Sequence, residues 1–167
     1  TLSAAPAALA NPYEKQLANG LRVIVKEDHR APTAVHMVWY HAGSMDETNG
    51  TTGVAHLLEH MMFKGTPSIG AGEFSRLVAA AGGRDNAFTS KDFTAYFQQV
   101  PKQKLEQMIQ LEADRMRHLN LDPKEFEQEI KVVMEERRLR TDDQPQARLF
   151  EQMGAVAFQA HPYRVPV

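Results

Sequence analysis

Two rhythms of apolar and polar positions run along the chain. Short runs rich in β-branched and aromatic residues predict strands: Leu21 to Glu27, entered through a turn at Asn19-Gly20, with Tyr13 to Leu17 as its hairpin partner. Ala34 to Ala42 is a longer, nearly all-apolar run that reads as a core strand, and Arg84 to Ser90 and Phe93 to Val100 add two more. Elsewhere apolar residues return every three or four positions, which predicts helices over Gly53 to Phe63, Ala71 to Ala81, Lys102 to His118, Pro123 to Arg140 and Ala147 to Ala160. Gly43 to Thr52 is polar and reads as a loop. Strands dominate the first half and helices the second. That order predicts an α+β fold, an antiparallel or mixed sheet with helices packed on it, rather than alternating βαβ units.

Composition narrows the options. A chain of 167 residues with 43% hydrophobic and 24% charged residues suits one folded domain and is neither a disordered segment nor a disulfide scaffold. Nineteen Lys and Arg against 21 Asp and Glu leave a formal charge of −2, which argues against a nucleic-acid binder. The absence of cysteine removes thiol nucleophiles and Cys-ligated metals, so any metal must be held by His, Asp or Glu. No run approaches the roughly 18 apolar residues of a membrane span. Residues 1–10 are alanine-rich and end Ala8-Leu9-Ala10, which reads either as a plain tail or as the remnant of a signal peptide. The second reading implies export to a bacterial periplasm or secretion. The stop at Pro166-Val167, soon after a turn-like His161-Pro162-Tyr163, reads as a C-terminal truncation of a longer polypeptide.

The segment that carries chemistry is His56-Leu57-Leu58-Glu59-His60. On a helix, residues four apart lie one turn above each other, so both imidazoles can grip one ion, with Glu59 on the same side. Val54, Leu57, Leu58 and Met61 would then anchor the helix in the core. Two histidines leave a catalytic zinc one protein ligand short. In the helix opened by Asp122 and Pro123, the stripe Phe126, Ile130 and Val133 defines a buried face. Glu129 and Glu136 fall on its edge about two turns apart, while Glu135 faces water. The residues alone leave two readings open. Either these are surface histidines and carboxylates satisfied by Lys or Arg, or they are a His2Glu metal set.

His56-Leu57-Leu58-Glu59-His60 fits the inverted zinc-protease motif H-x-x-E-H. With Gly43-Ser44-Met45-Asp46-Glu47 before it and Met61-Met62-Phe63-Lys64-Gly65-Thr66 after it, the chain closely resembles the pitrilysin, or M16, family of zinc peptidases, in its processing-peptidase-like branch. That family places a glutamate ligand at about the distance of Glu136, which stands 76 residues after His60, and another glutamate seven residues earlier, at Glu129. Asn86-Ala87-Phe88-Thr89 resembles its substrate-binding edge strand, and His161-Pro162-Tyr163 a motif near the end of its zinc-bearing half.

The resemblance covers residues 11–167 and implies an α+β half-domain holding one Zn2+ per chain through His56, His60 and Glu136. It implies peptide hydrolysis by metal-activated water, with Glu59 as general base, Glu129 supporting a ligand, and peptide pairing along Asn86 to Thr89. It also implies a partner: a second homologous half, or another subunit in a homo- or heterodimer. The alternative reading is a zinc-binding structural or assembly subunit, inactive without that partner.

Overall fold

The computed structural model describes residues 12–167, so the alanine-rich segment at 1–10 lies outside the described residues. The chain divides into two units, one ending at Pro32 and the other spanning Thr33–Val167. The first holds the expected hairpin. Strands β1 (Tyr13–Gln16) and β2 (Arg22–Val25) pair antiparallel, with Tyr13 opposite Val25. Gly20 takes the left-handed conformation that closes the turn (φ 88°), and Arg22 reaches across to Glu14 at 2.7 Å.

The second unit carries an antiparallel three-stranded sheet in the order β3 (Thr33–Tyr40), β5 (Thr94–Pro101), β4 (Arg84–Thr89). The central β5 pairs Phe97 with Met37 on one side and Asn86 on the other. Five helices accompany it: α1 (Val54–Met61), α2 (Glu73–Ala80), α3 (Leu105–His118), α4 (Pro123–Arg137) and α5 (Pro145–Ala157). The fold is therefore the expected α+β type with antiparallel pairing. Both β3 and β4 are edges of this sheet.

Alternation sends Tyr96, Gln98 and Val100 of β5 to the helical side, where Phe74, Val78, Val100 and Met108 form the core. A charged group is built into this layer. Arg115 and Glu112 are both 1% exposed and pair at 2.6 Å, and the guanidinium lies over the rings of Phe63, Phe74 and Tyr96, 4.1 Å from the centroid of Phe74. Gln98 donates to Glu112 and accepts from His36, so the buried charge is paired, although Arg115 Nη1 has no hydrogen-bond partner and meets the aromatic rings instead.

Several apolar residues expected in the core are not there. Strand β3 alternates strictly, leaving Val35, Met37 and Trp39 exposed, with Trp39 against Phe88 and Phe93. On α1, Met61 is buried, but Val54 and Leu58 are exposed. On α4, Phe126 is 43% exposed while Glu129 is 7% exposed, so a carboxylate rather than the phenylalanine marks the inward face. Helix α2 begins at Glu73 instead of Ala71, because Gly72 takes φ 70° and sets the helix start. Helix α4 runs on as one π-helical turn, Arg138–Asp142.

The loop before α1 orients the helix that bears the histidine pair. Gly43 passes so close to the β4–β5 turn that a Cβ there would lie 2.4 Å from the Ser90 carbonyl oxygen. That closeness lets Ser44 and Met45 donate backbone bonds to Ser90 and Lys91. Helix α1 has no side chain at its own N-cap, Gly53. Glu47 replaces it, accepting from the N–H groups of Gly53 (2.8 Å) and Ala55 (2.7 Å), with its charge at the positive end of the helix dipole. After α1, Thr66 and Ser68 both donate to Asp114 on α3, and His118 is its third partner. At the far end, Lys91 donates to the carbonyls of Tyr163 and Val165, and the Tyr163 hydroxyl donates to Asp92, which clamps the His161-Pro162-Tyr163 turn.

Two outcomes are expected in urea denaturation. Glu47→Ala should lower stability by about 1–2 kcal/mol, since it strips two N-terminal donors of their acceptor and the helix end of its charge. An unchanged midpoint would show that α1 needs no cap from this loop. The hydrogen bonds from Ser68, Thr66 and His118 hold the Asp114 carboxyl at about 2, below its ordinary 3.8. Its contribution is therefore complete above about pH 4 and fades as pH falls toward 2. Asp114→Asn should flatten the acid limb of the stability profile in that window, and an identical limb would refute the assignment.

Candidate metal centre

Helix α1 and helix α4 meet at their polar faces. The four-residue spacing on α1 brings the His56 and His60 Nε2 atoms to 3.3 Å of each other. Glu136 of α4 points its Oε2 between them, 3.7 Å from His56 Nε2 and 3.8 Å from His60 Nε2. All three side chains are largely buried. Glu136 Oε2 is solvent-inaccessible and accepts no hydrogen bond. Arg140 Nη1 lies 3.2 Å from it, but the side chain is 70% exposed and its N–H groups are not aligned on the oxygen. A stranded carboxylate oxygen facing two imidazole nitrogens is a costly arrangement for protein groups alone.

A divalent cation would resolve it. Tetrahedral zinc with bonds of about 2.0–2.1 Å separates its donors by roughly 3.4 Å. The three observed separations fall close to that value, and His56, His60 and Glu136 form a three-ligand group of the kind catalytic zinc uses.

The surroundings orient these donors. Glu129 accepts from His60 Nδ1–H at 2.8 Å; a carboxylate can only accept, so the Nε2 lone pair is left toward the centre. The second oxygen of Glu129 receives Lys64 Nζ at 2.5 Å. Burial pushes the Glu129 carboxyl up, but the hydrogen bonds from Lys64 and His60 outweigh it and hold the group below its ordinary value. Burial, and next the neighbouring His60, push His56 down, which favours the neutral ring a metal requires.

Glu59 stands beside the centre without joining it. Its Oε2 accepts from the Thr89 hydroxyl at 2.5 Å. A cavity of about 500 Å3 opens here, with Glu59, His60, Phe63, Lys64, Asn86 and Glu129 among its lining residues.

The residues singled out in the sequence thus divide. His56, His60 and Glu136 converge, Glu129 supports His60, and Glu59 lies alongside. The block Asn86 to Thr89 splits by strand alternation: Ala87 and Thr89 face the helices, while Asn86 and Phe88 are on the exposed side. Phe88 packs on Trp39 and Phe93 away from the histidines, although Asn86 still reaches the cavity. Glu135 faces water, paired with Arg138. Two participants were missed, Lys64 and the Thr89 hydroxyl as a partner of Glu59. The four-residue step from His60 to Lys64 was the available signal for the first, and the period-two step from Ala87 to Thr89 for the second.

Fold and site together define a metallohydrolase-type arrangement: a candidate His2Glu donor set with a carboxylate beside it that is not part of the set, next to a sheet edge. Residues 22–167 match the family described as Insulinase (Peptidase family M16), and the chain belongs to that family. It is 42% identical over 148 residues to the zinc protease PqqE of Helicobacter pylori, covering 88% of this chain and 33% of that protein. It is 34% identical to the mitochondrial-processing peptidase subunit beta of Lentinula edodes, over 87% of this chain and 27% of that one. A crystal structure of a protease from Helicobacter pylori superposes with a TM-score of 0.90 at 39% identity, covering 94% of this chain and 38% of the other. The chain spans about a third of the length of these relatives.

The stranded oxygen has a measurable consequence. In the presence of EDTA, Glu136→Met should be at least as stable as the wild type, by up to about 1–2 kcal/mol, because it removes a buried unsatisfied acceptor. A loss of stability of similar size would show that Glu136 is held by protein partners instead.

Proposed function

We propose that this chain is the zinc-bearing part of an M16 endopeptidase that hydrolyses peptide bonds. The observation that carries the reading is the convergence of His56 Nε2, His60 Nε2 and Glu136 Oε2 beside the carboxylate of Glu59, which stays outside the donor set and is held by Thr89. Zinc held there would supply Lewis-acid polarisation and fixed positive charge. The chain's own residues do the rest. Glu59 takes a proton from the attacking water and returns one to the departing amine, and Thr89 keeps that carboxylate aimed. Glu129 fixes the His60 ring so that its lone pair faces the centre. The free edge of β4 offers backbone groups to an extended peptide, which gives affinity with little sequence preference.

The names of the relatives support a partner as well. One is a processing-peptidase subunit, and all are about three times as long as this chain. A second homologous half or another subunit would close over the β4 edge and complete the substrate site, and the signal-like N-terminal segment is consistent with an exported protein.

The test is metal content by mass spectrometry together with cleavage of a quenched peptide library. One zinc per chain is expected, lost in Glu136→Gln. Cleavage should fall by about 10²–10⁴-fold in Glu59→Gln with zinc retained. Zinc without cleavage would favour the assembly-subunit reading for this chain alone. No metal at all would refute the site.

A further inference from the structure

We propose that Lys64 is a positioning residue of the metal centre, acting through Glu129 to fix the orientation of His60. The inference rests on the metal-site reading above, but it concerns a side chain outside the ligand set.

The geometry is that of a clamp. Beyond α1 the backbone keeps turning: Met62 N–H bonds to Leu58, Phe63 N–H to His60 and Lys64 N–H to Met61. Lys64 therefore sits one turn past His60, on the same side. Its ammonium meets two carboxylates on successive turns of α4, Glu129 at 2.5 Å and Glu125 at 3.5 Å. Glu129 then has each oxygen committed, Oε1 to His60 Nδ1–H and Oε2 to Lys64. A carboxylate bound at both oxygens cannot rotate without losing a charge-assisted bond, and at 7% exposure water cannot readily replace the loss. The same ammonium ties the end of α1 to the turns of α4 that precede Glu136, so it also sets how the two ligand-bearing helices meet.

A lysine near a helix C-terminus is ordinarily explained by the helix dipole, with the side chain in water. This one is not in that state, since its side chain is 23% exposed and is spent on a buried acid. Remove the ammonium, and Glu129 keeps one unsatisfied buried oxygen and freedom to turn. The His60 ring then loses its fixed acceptor.

The experiment compares the wild type with Lys64→Met, which keeps the stem, Lys64→Arg, which restores the charge, and Lys64→Gln, which restores only a donor. The first readout needs no metal: long-range ¹⁵N–¹H spectra of the histidine rings in EDTA. His60 should be a single Nδ1–H tautomer in the wild type and in Lys64→Arg, and a mixture in Lys64→Met. The second is the zinc dissociation constant from competition with a chromophoric chelator, expected to weaken about 10–100-fold in Lys64→Met and to recover in large part in Lys64→Arg. In a Glu129→Gln background, Lys64→Met should add little further loss. An unchanged tautomer and unchanged zinc affinity in Lys64→Met would overturn the proposal, as would an equal further loss in the Glu129→Gln background. Should Lys64→Met not fold, Lys64→Gln decides by the same two readouts. A wild type that binds no zinc would refute the functional reading, while the tautomer comparison would still decide the role of Lys64.

Discussion

Helices α1 and α4 meet through charged and polar side chains, and the geometry of the site depends on how those groups are bonded to one another. Two histidines face two glutamates where a bundle of this size would ordinarily place leucines. Ion pairs with such partial exposure contribute little when isolated. Here they form a chain, from Glu125 through Lys64 and Glu129 to His60, in which each group is bonded to the next. The contact therefore has one good geometry rather than many, and the donor atoms inherit that precision.

The rest of the fold serves to hold this contact against the sheet. Arg115 and Glu112 fill the space between α3 and β5 with a paired charge boxed by three rings, which allows little sliding of one layer over the other. Glu47 fixes the start of α1 and the Thr66–Asp114 bond its exit, so the histidine helix is pinned at both ends by side chains from elsewhere in the chain. Thr89 then connects α1 to the sheet at Glu59. Its backbone belongs to the free edge strand and its hydroxyl to Glu59. The free edge strand and the Glu59 carboxylate are thus joined at one residue.

Much of this was legible in the sequence where periodicity and ligand spacing agreed. The four-residue step between His56 and His60 depends only on helical geometry, and the same geometry separated Glu136 from its neighbour Glu135. Strand order and hairpin links gave the α+β class directly. Periodicity failed where it assumed that apolar means buried. The apolar stripe makes Phe126 part of the inward face of α4, yet that face is set by Glu129 and Glu136, whose burial is made tolerable by partners on another helix that no local pattern contains. Val54 and Leu58 failed on α1 for the same reason. The step from His60 places Lys64 on the histidine side, but a lysine after a helix looks the same in sequence whether its ammonium is in water or on a buried carboxylate.

The unsatisfied oxygen of Glu136 indicates what the arrangement is for. A chain selected for stability alone would bring Arg140 into full hydrogen-bonding alignment or replace the glutamate with an apolar residue. Instead the arginine stays mostly in solvent, close enough to lend charge and too poorly aligned to saturate the acceptor. Glu129, only two turns away on the same helix, is saturated at both oxygens. Two carboxylates on one helix, the better-buried Glu129 and the partly buried Glu136, therefore receive opposite treatment. The one that accepts from His60 Nδ1–H is bonded at both oxygens, and the one that faces both Nε2 atoms keeps an oxygen without a hydrogen bond, a division that packing alone does not require.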